Sequence, residues 1–460
     1  MIDIALVTRA LPVETSLPAD TVFTDVTTDS RQLAPGTLFV ALRGEKFDGH
    51  AFVSKALAAG AAAAVVDHVP EGVDPGKCLV VKDTLDAYQK LASAYRLSKP
   101  KVTVIAITGS NGKTSTKDLI SACLSAKYRV IKTQANFNNE IGLPKTLFTI
   151  QDDTEFAVVE MGMRGLGQIR AMKKLALPDA AVITNVGDTH LELLGSLENI
   201  AKAKSEILED FTPANHAFLN GDDPRVSVMP TGAKVTTYGI DADCDVKALS
   251  LTPTGLGTDF TYRSRVTGQT QAVHLPLAGR HNVMNALAAI AVAEVYGVAD
   301  GAIAGALEHP AMTGMRQEVL HFGDITVIND AYNASPASMK AGLETLRDLV
   351  KNQGRGRAVA VLADMLELGA HSQSGHTQVG EWAADCGVKE LIVYGTEAKY
   401  IGEAAAKRGV IVTYAANKEE AARLLQKILQ PGDVVLCKGS HSMAVDQVIP
   451  LVFGKEGADA

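Results

Sequence analysis

Val102-Thr103-Val104-Ile105-Ala106-Ile107-Thr108-Gly109-Ser110-Asn111-Gly112-Lys113-Thr114-Ser115-Thr116-Lys117 decides how this chain folds. A β-branched apolar run enters a glycine-bearing turn, the turn ends in Gly-Lys-Thr, and a helix-compatible segment follows. That order builds a phosphate cradle. Glycines let backbone N–H groups face an anion, and the helix behind them adds the positive end of its dipole. Lys113 then reaches the β- and γ-phosphates of a nucleotide, and the Thr114 hydroxyl suits Mg2+. In the general pattern a glycine opens the loop; here Ile107 stands at that position, so the loop is a shortened variant.

Working outward, the 460 residues amount to about three domains by length. Hydrophobic content of 47% with 21% charged residues is that of an ordinary globular protein. A formal net charge of −8 argues against general nucleic-acid binding, which needs a basic surface to replace counterions, but not against one anionic nucleotide. Cys78, Cys123, Cys244, Cys386 and Cys437 are far apart and odd in number, with no CxxC spacing, which supports reduced thiols rather than disulfides or zinc. Met1 to Glu14 lacks the basic start of a signal peptide, and the longest apolar stretches are too short to span a bilayer. The expectation is a cytoplasmic enzyme with no membrane insertion.

Three blocks separate along the chain: residues 1–84, 85–312 and 313–460. The first mixes short strands with an Ala-rich helix. The second opens with a helical run, Leu85–Leu97, carries the phosphate-loop strand, and continues through strands Phe156–Glu160 and Ala180–Asn185 to a helix Asn282–Tyr296. The third repeats strand then helix, with strands Ile325–Ile328, Ala358–Leu362, Leu391–Tyr394 and Val434–Cys437. Strands alternating with helices predict an α/β fold with parallel sheets, whose ligands sit at the carboxyl ends of the strands.

Several side chains stand at such ends. Glu160 closes its strand just before Gly162, and a carboxylate there suits either solvent or Mg2+; the nearby Lys113-Thr114 favours the metal. His190 follows a strand and turn, where a structural role and a metal or phosphate contact both fit. Lys202 and Lys204 lie in a helical pattern and, from that segment alone, read as two solvated lysines. Asn282 and Asn285 follow Gly279-Arg280-His281; they suit an N-cap, or recognition of adenine. Arg316 and Asp330 read as a surface arginine and a turn-forming aspartate, although an arginine can bridge to phosphate and an aspartate can hold ribose hydroxyls.

In this order the residues resemble the Mur ligase family of cell-wall biosynthesis, over nearly the whole chain. Thr108–Thr114 resembles its TGxNGKT loop, and Asn136–Pro144 its second element, which faces the UDP-sugar substrate and the metal site. The resemblance implies a three-domain α/β fold: a small uridine-binding N-terminal domain, a central P-loop domain and a C-terminal Rossmann-like domain. It puts Gly109, Ser110, Asn111, Gly112, Lys113, Thr114 and Ser115 on ATP phosphates, Asn282 and Asn285 on adenine, Arg316 on phosphate and Asp330 on ribose. It gives Thr114, Glu160 and His190 to Mg2+, two ions in all. It makes Lys204 a carbamylated, metal-bridging ligand, reversing the solvated reading, and leaves Lys202 as surface. Lys113, Glu160, His190 and Lys204 form the implied catalytic set.

Asp330-Ala331-Tyr332-Asn333-Ala334-Ser335-Pro336 resembles DAYNANP with Ser335 in place of Asn, and Ala363–Gly369 resembles GDMLELG. Both are motifs of the family member that joins D-alanyl-D-alanine to UDP-N-acetylmuramoyl-tripeptide. The alternative is the sister enzyme that adds a diamino acid to the UDP-muramoyl dipeptide. Its DNPR motif is not found in block three, and Asp222-Asp223-Pro224-Arg225 lies in block two. Asp29-Ser30-Arg31 and Gly44-Glu45-Lys46-Phe47-Asp48-Gly49-His50 resemble the uridine-binding domain. Ser30, Arg31, Gly44, Asp48, His50, Asn138, Asn139 and Asn333 are thereby implied in substrate binding. Lys438-Gly439-Ser440-His441 departs from KGSR at its last position. The resemblance also implies a monomer acting on small-molecule substrates.

Overall fold

The computed structural model describes residues 2–44, 47–255 and 257–454, so Glu45 and Lys46 of the Gly44–His50 stretch lie outside the described residues. The chain divides into two compact units. The first comprises Met1–Ala106, Tyr128–Met163 and Gly167–Ala181, and the second Ile107–Lys127, Arg164–Leu166 and Val182–Ala460.

In the first unit, strands Val26–Thr27, Leu38–Val40, Ala63–Val66 and Cys78–Val80 lie side by side in chain order, all parallel. Phe39, Val53, Ala56, Ala64 and Val66 form the apolar core on that sheet. Asp83 caps the helix Thr84–Leu97 by accepting from the backbone N–H groups of Leu85 and Asp86, and that helix buries Tyr88, Leu91 and Tyr95. Strand Phe156–Glu160, buried along its whole length, pairs in parallel with Val130–Lys132. A strand buried on both faces is what its unbroken apolar run demands.

The second unit begins at Ile107, inside the strand Thr103–Thr108, and the helix Lys113–Ser125 follows the phosphate loop. Strand His216–Asn220 pairs in parallel with Lys234–Gly239. The sheet then turns antiparallel through Val246–Thr254, Gly257–Ser264 and Thr270–Leu275. Helix Arg280–Val295 is buried nearly all round. A six-stranded sheet runs in the order Glu318–Phe322, Ile325–Asn329, Val434–Lys438, Ala358–Ala363, Val388–Tyr394, Ile411–Ala415. It is parallel except for its first strand, which forms a hairpin with the second. Separate apolar clusters cover its two faces.

Two expectations change. The alternation of strand and helix breaks at 246–275 and at 318–329, where hairpins extend otherwise parallel sheets. The signal was there: Gly257–Ser264 alternates buried and less buried positions, the mark of a strand with one solvated face. The helix expected from Asn282 begins at Arg280, with Gly279 as the cap residue, so neither asparagine is an N-cap. All five cysteines are free and buried. Among the described residues no helix is long and apolar enough to cross a membrane.

Candidate active site

The phosphate loop is clamped from one side. Ser110 Oγ donates to the Gly187 carbonyl at 3.0 Å and accepts from the Gly187 N–H at 2.8 Å. Thr184 Oγ1 and Asn185 Nδ2 both donate to the Asn111 carbonyl, at 2.7 and 3.0 Å. Asn185 Oδ1 accepts from the Asn111 N–H at 2.9 Å. Gly109, at φ +156°, approaches so closely that an added Cβ would lie 1.8 Å from Thr184 Oγ1. Gly112 sits at φ +80°, in the left-handed region that glycine enters without strain. Ile107 is fully buried, so the missing first glycine is a core residue of the strand. Lys113 Nζ donates to the Gly109 carbonyl at 2.7 Å and the Ser110 carbonyl at 3.3 Å, which holds its charge over the loop. Thr114 is buried one residue further along the helix.

Lys204 is 1% exposed, while Lys202 two residues away is exposed. Burial, joined by the charge of Lys113, pushes the Lys204 amine well below the ordinary lysine value. A neutral amine is what captures CO2. His190 stands at φ +65°, and burial holds it below the usual histidine value against the opposing pull of Glu367, with Lys113 and Lys204 adding to the depression. Asp223 of the sequence Asp222-Asp223-Pro224-Arg225 accepts from the Val186 N–H at 2.7 Å, so this stretch anchors the loop before His190.

Asn285 Oδ1 accepts from Thr116 Oγ1 at 3.1 Å, fastening helix Arg280–Val295 to the phosphate-loop helix. Asn282 Nδ2 donates to the Ala278 carbonyl at 2.9 Å and to Gln317 Oε1 at 3.1 Å. Ser335 caps helix Pro336–Gln353 in a reciprocal box with Ser338, and its Oγ reaches Asn111 Oδ1 at 3.3 Å. At position 335 serine is as good an N-cap as asparagine, and its hydroxyl links the helix to the phosphate loop.

Arg316 lies over the Tyr332 ring, its Cζ 3.8 Å from the centroid. Its neighbours Met315 and Gln317 both take positive φ, 61° and 53°. Its Nε is buried with no hydrogen-bond partner, which fits a guanidinium built to meet an anion. Lys438 Nζ donates to Asp330 Oδ2 at 2.6 Å and to the Asn333 carbonyl at 3.0 Å. His441 packs against Tyr332, with ring centroids 5.6 Å apart. Lys438 and Tyr332 carry no role in the sequence reading; the signal for Lys438 is a Lys-Gly-Ser at the end of the strand Val434–Lys438.

In the first unit, Glu160 is 1% exposed. Its backbone N–H donates to Thr133 Oγ1 at 3.0 Å, and its Oε1 accepts from Asn138 Nδ2 at 2.9 Å. Asn139 Oδ1 accepts from the Gly142 N–H at 2.8 Å, tightening the turn that leads into helix Gly142–Phe148. Arg31 makes a two-point ion pair with Asp29, holding that carboxyl down at about 2. Ser30 lies between them in the chain. The Gly44 N–H donates to the Phe47 carbonyl at 2.9 Å. Asp48 caps the short helix Gly49–Phe52. His50 is buried with both ring nitrogens engaged: Nδ1 with Asp48 at 2.6 Å, and Nε2 accepting from the Asp67 N–H at 3.0 Å. His50, Asp67 and His68 bring donor atoms within 4.8 Å of one another. The Arg43 guanidinium, 3.3 Å from Asp67, makes this a hydrogen-bonded ion cluster rather than a cation site.

Taken by chemistry alone, the buried Thr114 hydroxyl and the His190 imidazole in the second unit, and the buried Glu160 carboxylate in the first, are each donor types that suit Mg2+.

Three family models match the chain: Mur ligase family, catalytic domain over residues 22–96; Mur ligase middle domain over 107–293; and Mur ligase, glutamate ligase domain over 315–441. UDP-N-acetylmuramoyl-tripeptide–D-alanyl-D-alanine ligase of Bacillus subtilis is 40% identical over 433 residues, covering 93% of each chain. MurF of Acinetobacter baumannii superposes with TM-score 0.88 at 29% identity, covering 98% of each chain. MurF of Thermotoga maritima, solved with ADP, gives TM-score 0.82 at 28% identity over 93% of this chain and 96% of that one. With this identity sustained over nearly its full length, the chain belongs to the Mur ligase family.

Proposed function

We propose that this chain is the ATP-dependent, ADP-forming ligase that joins D-alanyl-D-alanine to UDP-N-acetylmuramoyl-tripeptide in peptidoglycan synthesis. Relatives carrying that activity in their names match over nine-tenths of the chain. The observation in the fold that carries the reading is Lys204, a fully buried lysine whose amine is pushed well below its ordinary value by burial and by the charge of Lys113. A phosphate-loop switch has no use for such a lysine, whereas a carbamate there adds an anionic ligand.

A peptide carboxylate is a poor electrophile. One of its oxygens attacks the γ-phosphorus as the bond to the ADP oxygen breaks, giving an acyl phosphate. The dipeptide amine attacks the acyl carbon and loses its proton. The bond to phosphate then breaks, leaving amide and inorganic phosphate. The protein contributes positioning and charge rather than a covalent intermediate. Gly109, Ser110, Asn111, Gly112 and Ser115 shape the phosphate cradle, and Lys113 and Arg316 neutralise the phosphates. Asn282 and Asn285 hold adenine, and Asp330 holds ribose. Thr114, Glu160, His190 and carbamylated Lys204 would hold Mg2+, which when bound supplies positive charge at the γ-phosphate and acyl carboxylate.

Ser30, Arg31, Gly44, Asp48, Asn138, Asn139 and Asn333 serve the UDP-peptide. His50 supports them by fixing Asp48. The blocks 1–84, 85–312 and 313–460 act as substrate, ATP and Rossmann-like domains of a cytoplasmic monomer. Mass analysis of the product tests the substrates. UDP-tripeptide with D-alanyl-D-alanine should give the pentapeptide. A product from UDP-dipeptide and a diamino acid instead would move the chain to the sister activity.

A further inference from the structure

Glu367 lies in the Ala363–Gly369 motif, whose role the mechanism above leaves unassigned. It follows the strand Ala358–Ala363 in the third block, and it adopts φ +62°, a conformation non-glycine residues take only under constraint. The constraint is visible on both sides. The Met365 N–H donates to His376 Nε2 at 3.0 Å, and the Leu366 N–H donates to Ser440 Oγ at 2.9 Å. Two residues beyond, Gly369 packs so tightly on Glu192 that an added Cβ would lie 2.7 Å from its Cγ. The loop is therefore pinned against the segment that carries His190.

What it presents there is a carboxylate. Glu367 Oε2 lies 2.8 Å from His190 Nδ1, and Oε1 lies 3.2 Å from Arg164 Nη2. An acceptor-only group at Nδ1 fixes the proton on that nitrogen, which leaves the lone pair on Nε2 and sets the plane of the ring. Metal-bound histidines are commonly held in this way by a carboxylate behind them. His190, at φ +65° on a short turn before helix Leu191–Leu194, has little else to fix its ring.

We infer that Glu367 is a positioning residue. It orients His190 so that Nε2 serves as a ligand, and docking of the third block thereby completes the Mg2+ site. The inference rests on the reading of His190 as a metal ligand, and the experiment separates the two.

Full-length protein with a non-hydrolysable ATP analogue is titrated with Mn2+, and free ion is followed by electron paramagnetic resonance. Wild type, His190→Ala, Glu367→Ala and Glu367→Gln are compared, with thermal midpoints measured without metal. The inference predicts that His190→Ala and Glu367→Ala each weaken Mn2+ binding by about 10–100-fold. Glu367→Gln, which keeps an acceptor oxygen facing Nδ1, returns affinity to within a few-fold of wild type and remains measurable if the alanine variant fails to fold. Wild-type affinity in Glu367→Ala alongside a loss in His190→Ala overturns the inference. So does a loss in Glu367→Gln as large as in Glu367→Ala, since charge rather than orientation would then be the cause. Unchanged affinity in His190→Ala overturns instead the metal reading on which it rests.

Discussion

Lys113 donates to two carbonyls of the loop, and its charge adds to the burial that lowers the Lys204 amine. Its charge is therefore held over the loop before any phosphate arrives, and little reorganisation is needed when one does. Lys113→Ala should lower kcat by ~10²–10³ or more while the denaturation midpoint stays near wild type. Full activity in that variant would remove the phosphate loop from the mechanism. Gly109 is a separate case, because its effect is steric. An alanine there collides with Thr184 Oγ1, the group that grips the Asn111 carbonyl. Gly109→Ala should weaken ATP binding at least ~10-fold, about 1.4 kcal/mol, measured by fluorescence of a labelled nucleotide. Equal affinity would mean that the clamp does not set the shape of the loop.

Helix Arg280–Val295 shows what elements add to single residues. One end carries Asn282 and Asn285, and Glu294 at the other end is buried against Ser264, which donates to it. Burial pushes Glu294 up to about 7. A carboxyl raised in the folded state binds more protons there than in the unfolded chain between pH ~4.3 and ~7, so stability falls as pH rises through that window and is flat above it. Glu294→Gln should remove this slope. It should be more stable than wild type at pH 8 by about 1–2 kcal/mol after solvent screening, and nearly equal at pH 4, by urea unfolding. A slope that survives the substitution would place the shift elsewhere.

Elements also mark how far the sequence could be read. The phosphate loop, the strand ending at Glu160 and the strands of the third block were legible because their signals are local: β-branched runs, glycines and a Gly-Lys-Thr turn. The hairpins at 246–275 join consecutive strands, so their signal was local too, an alternation along Gly257–Ser264 hidden by the strand-then-helix rhythm of the rest of the chain. Burial of Lys204 beside an exposed Lys202 was invisible to composition, since helix phase alone does not say which face meets the core. Family likeness supplied it. Glu367 was quoted but unassigned, because its partner His190 lies far away in the chain.

Over the whole molecule, ATP contacts are proposed from both the second and third blocks, and the connection between them is pinned. The Thr313 N–H donates to Asp118 Oδ2 at 2.8 Å, and Lys117 Nζ lies 3.4 Å from Thr313 Oγ1. Lys117 and Asp118 are themselves fully buried, 3.3 Å apart, on the phosphate-loop helix. The connection Pro310–Gly314 is therefore tied to the helix that answers to phosphate, and closure of the third block should pivot there. Small-angle scattering should show a smaller radius of gyration with ATP analogue and UDP-tripeptide than without; no compaction would count against the hinge. Asp118→Ala removes the carboxylate of a buried pair and should cost about 3–5 kcal/mol in denaturant unfolding.

The central claim is amide ligation, and phosphate release tests it most directly. Purified protein with ATP and Mg2+ should release phosphate only when UDP-N-acetylmuramoyl-tripeptide and D-alanyl-D-alanine are both present, in step with the new amide. Steady release with neither substrate present would contradict a ligase and point instead to a nucleotide switch, which hydrolyses its nucleotide without a small-molecule amine.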